Sequence, residues 1–151
     1  MAPPGAIEAK KFFTVEEANN ALPLVQAIVG DIVRQYHAVR ELQARLAAVN
    51  GERRRPARDP YSEELAQSQA ELEAEEQTLR SYVEELSRLG VELKGPDGLC
   101  DFPSLREGRE VYLCWRLGEP GVDFWHELHA GVAGRQPLSA KPAPRAGQPS
   151  H

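Results

Sequence analysis

An apolar stripe at helical spacing is the feature that most constrains the fold of this chain. Apolar side chains recur every three or four residues from Leu22 to Val49. This is the period of an α-helix, sustained over about 28 residues or ~42 Å. The Asn50-Gly51 pair that follows is a typical helix stop. The stripe consists of Leu22, Val25, Val29, Ile32, Tyr36, Val39, Leu42, Leu46 and Val49.

A capping box marks the start of helical structure ahead of this stripe. In Thr14-Val-Glu-Glu17, the Glu17 amide can donate to the Thr14 hydroxyl while the Glu17 carboxylate reaches back to the Thr14 amide. Pro23 then intrudes, because a proline inside a helix removes a hydrogen bond and clashes with the preceding turn. The sequence therefore predicts a short first helix that ends near Asn19 or Asn20, and a second start with Asn20 as N-cap.

A second helix is predicted from about residue 61 to residue 89, with Gly90 as its stop. Its leucines recur every seven residues, which is a heptad spacing: Leu65, Leu72, Leu79 and Leu86. The connecting segment, 52–60, holds two prolines and four arginines and predicts a loop. Folding the helices back about this loop pairs positions whose numbers sum to about 110, so the sequence predicts an antiparallel helical hairpin.

After Gly90 the apolar period changes to two, which is typical of strands. Strand segments are predicted at 91–94, at 99–102 with Pro103 as the stop, at 111–117 and at 122–128. Glycine- and proline-rich turns at 95–98 and 118–121 separate them, and such short turns require antiparallel neighbours. The odd-numbered face of 111–117 is apolar and is expected to lie on the helices.

These patterns predict an α+β fold: a long antiparallel helical hairpin, preceded by a short helix, packed on a three- to four-stranded antiparallel sheet. We expect one domain at 11–138, with the hairpin at 21–89 and the sheet at 91–128. Residues 1–10 and 139–151 are rich in proline, glycine and small side chains, and they are expected to be disordered tails.

Composition excludes several classes of protein. No run approaches the ~18 consecutive apolar residues of a membrane-spanning helix. The net charge is -5 and the pI about 5.4, which disfavours nucleic acid as a partner. The N-terminus lacks the apolar core of a signal peptide, and two cysteines are too few for a disulfide scaffold. We therefore expect a cytoplasmic protein with reduced thiols.

Several motifs in the last third resemble the bacterial family called domain of unknown function 2203. They are Gly98-Leu-Cys-Asp-Phe-Pro103, Gly108-Arg-Glu-Val-Tyr-Leu-Cys-Trp-Arg-Leu-Gly-Glu119, Phe124-Trp-His-Glu127 and Gly131-Val-Ala-Gly-Arg-Gln-Pro-Leu138. The opening Phe13-Thr-Val-Glu-Glu-Ala-Asn-Asn-Ala-Leu-Pro23 fits the same family. The resemblance implies no activity. The signature positions it implies are Asp101, Pro103, Cys114, Trp115, Gly118, Glu119, Trp125, His126, Gly134 and Arg135. Cys100 and His129 depart from the aliphatic and acidic residues that the resemblance leads us to expect.

A metal site is the sharpest chemical possibility, because thiolates and imidazoles are zinc ligands. The candidate ligands are Cys114, His126, His129 and Cys100. A hairpin centred near Glu107 would place Cys100 opposite Cys114, and a turn centred on Pro120 would place Cys114 opposite His126. The Pro-Gly turn that the sequence favours instead pairs Trp115 with His126, and a shift of one residue moves a side chain to the other face. The alternative is two buried cysteines and surface histidines.

An acid–base pocket is a second possibility. Its candidate catalytic residues are His126, Glu119, Asp101 and Arg135, with Glu127 beside them and with Trp115 and Trp125 as binding walls. Histidine changes its charge near neutral pH and is the best candidate base. The alternative is a structural Glu119–Arg135 ion pair and a hydrogen-bonded histidine at the edge of the sheet. No spacing in the sequence specifies a nucleophile, so an enzyme is not favoured.

The long hairpin suggests a third class of function. The run Arg53-Arg-Arg55 with Arg58 could bind phosphates, but the glutamates that follow would repel a nucleic-acid backbone. Heptads usually recruit other helices, and part of the region from Val25 to Tyr36 would be uncovered in a lone hairpin. We therefore expect a soluble, non-catalytic interaction or scaffold module that binds a protein partner or a second copy. No cofactor is expected on this account. The alternative is a small-ligand or metal-binding protein, possibly an enzyme, centred on His126 and Cys114.

Overall fold

The computed structural model describes residues 10–52 and 60–138. Two helices come first and five strands follow: α1 (Val15–Glu52), α2 (Pro60–Arg88), β1 (Glu92–Gly95), β2 (Leu99–Arg106), β3 (Arg109–Arg116), β4 (Phe124–Glu127) and β5 (Gln136–Pro137). A short 3-10 turn, Val132–Gly134, precedes β5. The predicted α+β class is confirmed. The arginine run at 53–58 and, apart from Lys10, the predicted tails lie outside the described residues.

The helix α1 begins at the predicted capping box and then continues through Pro23. The Glu17 amide donates to the Thr14 hydroxyl over 2.9 Å, and the Thr14 amide donates to the Glu17 carboxylate over 3.0 Å. The predicted break near Asn19 or Asn20 is wrong, because α1 is one helix. Packing explains why one proline does not end it: the side chains on its buried stripe around Pro23, from Ala18 to Val29, lie in the core.

The two helices run antiparallel with the predicted pairing. The Gln35 side-chain amide donates to the backbone carbonyl of Glu75 over 2.9 Å. The residue numbers 35 and 75 sum to 110, as the sequence predicted. The helix α2 ends at Arg88, and Gly90 follows with a φ of 92°, a left-handed conformation that favours glycine at a helix end. The hairpin therefore delivers the chain directly to β1.

The strands form one antiparallel sheet in the order β1-β2-β3-β4-β5. Pro103 does not stop β2, as the sequence had predicted. Its carbonyl accepts a hydrogen bond from the Phe13 amide over 2.7 Å, so its backbone faces the β1 side of β2, beyond the first residue of β1, Glu92, which pairs with Asp101. A proline at such an edge position loses no ladder hydrogen bond. The fifth strand was not predicted; it adds two residues beside β4.

The sheet has an inner face and an outer face. The inner face packs on the helices in one core cluster and includes Cys100, Phe102, Val111, Leu113, Trp115 and Trp125. The predicted apolar odd-numbered face of β3 is confirmed. Val25, Ile28 and Ile32 of α1 belong to the same cluster. The α1 surface around these three residues, which we had expected a lone hairpin to expose in part, is therefore covered by the chain's own sheet. The outer face carries Asp101, Pro103, Tyr112, Cys114, Phe124 and His126, as the cross-strand pairs show.

Candidate metal centre

Three potential metal ligands meet on the outer face of the sheet. The register pairs Asp101 of β2 with Cys114 of β3, and Tyr112 of β3 with His126 of β4. One ligand atom from each of Asp101, Cys114 and His126 lies within 4.8 Å of the other two. The residues are 3%, 0% and 2% exposed, although they face away from the helices. The outer face therefore contains a closed cluster of one carboxyl, one thiol and one imidazole group.

The hydrogen bonds of His126 assign its proton. Nδ1 lies 2.8 Å from the backbone carbonyl oxygen of Glu127, which only accepts hydrogen bonds, so Nδ1 carries a hydrogen and donates it. Nε2 lies 3.1 Å from Oδ1 of Asp101. A second proton must then lie between Nε2 and the carboxyl group, because two bare acceptors would repel each other. Nε2 is thus the nitrogen that faces the cluster.

The environment disfavours negative charge at the other two groups. Burial raises the pKa of the Asp101 carboxyl above its usual range, against the opposing effect of the neighbouring His126. Burial also raises the pKa of the Cys114 thiol to about 11, and the Asp101 carboxylate adds to the rise. The thiol is therefore protonated at neutral pH unless a cation replaces the proton.

A second polar contact lies beside the cluster. The Arg135 guanidinium donates to both carboxylate oxygens of Glu119, over 2.9 Å in each case, and lies 4.0 Å from the centre of the Phe124 ring. It also donates to the backbone carbonyl of Cys114 over 3.4 Å. The hydrogen bonds from Arg135 lower the pKa of Glu119, and those to Glu119 raise the pKa of Arg135. The ion pair given as the alternative in the sequence analysis is present.

The structure separates other predicted site residues from this cluster. Cys100 is opposite Trp115 on the inner face and belongs to the core, and His129 is exposed. Cys100 and His129 therefore do not join Cys114 and His126 in one set of ligands. Trp115 and Trp125 also belong to the core cluster on the inner face, so they do not form walls around His126.

The register of the strands explains why Cys100 was expected opposite Cys114. It also explains why Asp101 was not counted as a metal ligand. The turn at Glu107–Gly108 pairs Cys114 with Asp101, one position from the expected Cys100. In addition, the pairing of β3 with β4 is shifted by three residues from the one that the Pro-Gly turn implied, so His126 is opposite Tyr112 and not Trp115. The rings of Tyr112 and His126 are 5.5 Å apart. The signal in the sequence was the even-numbered face of β3, where Tyr112 and Cys114 alternate with the apolar residues.

Within 10–52 and 60–138, neither helix combines the length and apolarity that crossing a membrane requires. The fold and the cluster define a class: an α+β protein in which a helical hairpin covers one face of a sheet and a buried group of potential metal ligands occupies the other. The chain belongs to the family described as uncharacterized conserved protein DUF2203, whose sequence model matches residues 11–138. No curated protein matches the chain significantly. No solved structure does so either.

Proposed function

We propose that this protein binds a divalent transition metal of the zinc class through Asp101, Cys114 and His126. The observation that carries the proposal is the convergence of the three ligand atoms within 4.8 Å in a closed site. Zinc ligands at ~2.0–2.3 Å from a tetrahedral ion lie about 3.5 Å from one another, so the three groups need to close in only slightly. The mixture of sulfur, nitrogen and oxygen ligands favours zinc over magnesium or calcium.

The orientation of His126 supports the same function. A metal-binding histidine usually donates its other ring N–H to a backbone carbonyl or carboxylate, which fixes the tautomer and the plane of the ring. Here Nδ1 makes that bond to the Glu127 carbonyl, and Nε2 faces Asp101 and Cys114. Metal binding would replace the proton between Nε2 and Asp101, together with the thiol proton of Cys114. Such an ion would link strands β2, β3 and β4 through its three ligands. It would also supply a Lewis acid.

Metal content of purified variants tests the proposal. The full chain, purified without chelator and then equilibrated with zinc, is expected to hold one equivalent. Cys114→Ala and His126→Ala are expected to lose it. Two matched controls carry the same residue types outside the cluster, Cys100→Ala in the core and His129→Ala on the surface, and both should retain the ion. Loss of zinc in Cys100→Ala with retention in Cys114→Ala would contradict the proposal.

A protein-interaction role is the second candidate, and one observation favours it. Leu24 is 53% exposed and lies in a groove whose apolar lining, Phe13, Ala21, Val25, Leu89 and Val91, is bordered by the polar residues Lys11, Glu17 and Asn20. A second copy of the chain would bury this apolar surface by docking its helical hairpin there. Sedimentation velocity is expected to show dimers that Leu24→Ser weakens. Leu105→Ser, at a leucine that is 52% exposed in β2, is the control. A monomer at micromolar concentration would contradict this candidate.

The cytoplasm is the compartment that the metal-binding candidate favours. A metal-binding Cys114 must be a reduced thiol, and the cytosol keeps thiols reduced. Cys100 and Cys114 are both free and lie on opposite faces of the sheet. Zinc content and free thiols, measured in protein from a reducing and from an oxidising compartment, would test this placement. It predicts full zinc occupancy only in the protein from the reducing compartment.

A further inference from the structure

We propose that Arg135 binds a small oxyanion, such as a carboxylate or phosphate, that occupies the fourth coordination position of the metal. This inference rests on the metal site proposed above. Three protein ligands converge among the described residues. Structural zinc sites use four protein ligands, whereas sites that act on an external molecule use three and leave one position open. The cluster matches the second pattern.

The position of Arg135 relative to Cys114 is the first argument. The guanidinium donates a hydrogen bond to the backbone carbonyl of Cys114 over 3.4 Å, and its charge lowers the pKa of the Cys114 thiol against the larger effect of burial. It therefore lies next to the sulfur that would bind the metal, on the outer face of the sheet. A molecule bound to the fourth position beside that sulfur would be within reach of the same guanidinium.

The hydrogen bonds of Arg135 are the second argument. Two of its nitrogens donate to Glu119, while Nε is buried and has no acceptor among the described residues. A planar guanidinium offers five N–H donors and binds carboxylates and phosphates in a bidentate manner. Arg135 thus retains a donor for a further oxyanion, and Glu119 is a carboxylate that such an anion can displace.

The two clamp residues, Arg135 and Glu119, lie nearer to solvent than the three ligands. Their side chains are 16% and 25% exposed, in contrast to the almost completely buried Asp101, Cys114 and His126. A small molecule would reach the metal past Arg135. The closed surroundings of the three ligands restrict it to a few atoms.

Arg135 is the cation that would pair with a bound anion. A divalent ion with one carboxylate, one thiolate and one neutral imidazole carries no net charge. An added anion is then balanced by Arg135 once Glu119 releases it. Because Glu119 and the anion compete for the same guanidinium, the two residues of the clamp should have opposite effects on anion affinity.

Cobalt substitution makes this competition measurable, because the visible spectrum of Co²⁺ responds to its ligands. The full chain loaded with Co²⁺ is titrated with acetate and with phosphate. We expect a saturable spectral change in the wild-type protein. Arg135→Gln should bind the anions at least about tenfold more weakly, because a charge-assisted hydrogen bond is lost. Glu119→Gln should bind them several-fold more tightly. Arg109→Gln, at an exposed ion pair with Glu127, is the control and should match the wild type.

Opposite shifts in the two clamp variants distinguish anion binding from a purely structural role. If cobalt binds but neither anion changes its spectrum, the inference is wrong and the metal site stands. If Arg135→Gln and Glu119→Gln both weaken anion binding equally, the clamp only stabilises the fold and the inference is also wrong. If cobalt gives no thiolate charge-transfer band that depends on Cys114, the metal site and this inference both fail.

Discussion

Nε2 of His126 lies 3.1 Å from Oδ1 of Asp101, on the face of the sheet that points away from the helices. The two side chains are only 2% and 5% exposed. Burying such groups is costly unless they pair with each other or bind an ion. The pair lies beside a buried thiol rather than within the apolar core between helices and sheet. This arrangement is what makes the outer face, and not the helical hairpin, the leading candidate site.

Metal affinity is predicted to rise steeply with pH. The hydrogen bond between Asp101 and His126 contains one proton, and the Cys114 thiol, whose pKa burial raises to about 11, holds another. Metal binding must release both protons, so the apparent affinity should increase up to about 100-fold per pH unit near neutrality. Calorimetry in buffers of different ionisation enthalpy measures the number of protons released. An affinity that rises only about tenfold per pH unit would show that the thiol is not a ligand.

Removal of either member of the Asp101–His126 pair is predicted to destabilise the metal-free protein. Asp101→Ala or His126→Ala should each lower the free energy of unfolding by about 3 kcal/mol, because the remaining buried group loses its partner. The double variant should cost less than the sum of the two single variants by about 1 kcal/mol or more. Urea denaturation gives the three values. Strict additivity would contradict the contact.

Acid should weaken the Glu119–Arg135 clamp. The pKa of Glu119 is lowered in the folded state, mainly by hydrogen bonds from Arg135. Its contribution is therefore fully present above the pKa of the unfolded chain and is lost as the pH falls through the lower folded-state pKa. Glu119→Gln is expected to cost about 1 kcal/mol at neutral pH and to reduce the acid dependence of the melting temperature. If the melting temperature of Glu119→Gln depends on acid pH as that of the wild type does, the Glu119–Arg135 ion pair does not stabilise the fold.

Pro23→Ala is predicted to stabilise the protein. Pro23 is exposed inside α1 and cannot donate a hydrogen bond to the carbonyl four residues earlier. Alanine restores that donor and has a much higher helix propensity, so the free energy of unfolding should rise by about 1–3 kcal/mol. Ala27→Pro, one turn further along an exposed part of the same helix, is the converse control and should destabilise. A destabilised Pro23→Ala would mean that the ring makes a contact the helix needs.

The sequence was sufficient for the elements whose signals are local and repeated. The stripe from Leu22 to Val49 and the heptad leucines predicted the antiparallel hairpin, and the period-two segments predicted the antiparallel sheet. The predicted capping box formed as expected. Pro23 misled because the burial of the flanking stripe in the core outweighs the local penalty of one proline.

The candidate site could be predicted only in part, because it depends on strand register. Asp101, Cys114, Glu119, His126 and Arg135 were all identified as chemically capable residues. The turn between β2 and β3 has two residues, Glu107 and Gly108, and it places Asp101 opposite Cys114 where the sequence had suggested Cys100. The longer loop before β4 is held by contacts distant in sequence, such as the Val122 amide donating to Asn19 over 2.8 Å. A single sequence does not reveal such contacts.

X-ray absorption at the zinc edge tests the central claim most directly. The zinc-loaded chain is predicted to show one sulfur at about 2.3 Å and nitrogen or oxygen ligands at about 2.0 Å. Cys114→Ser should lose the sulfur signal, and Cys100→Ala should keep it. A spectrum with no sulfur ligand, or one whose sulfur disappears in Cys100→Ala, would contradict a metal centre built from Asp101, Cys114 and His126.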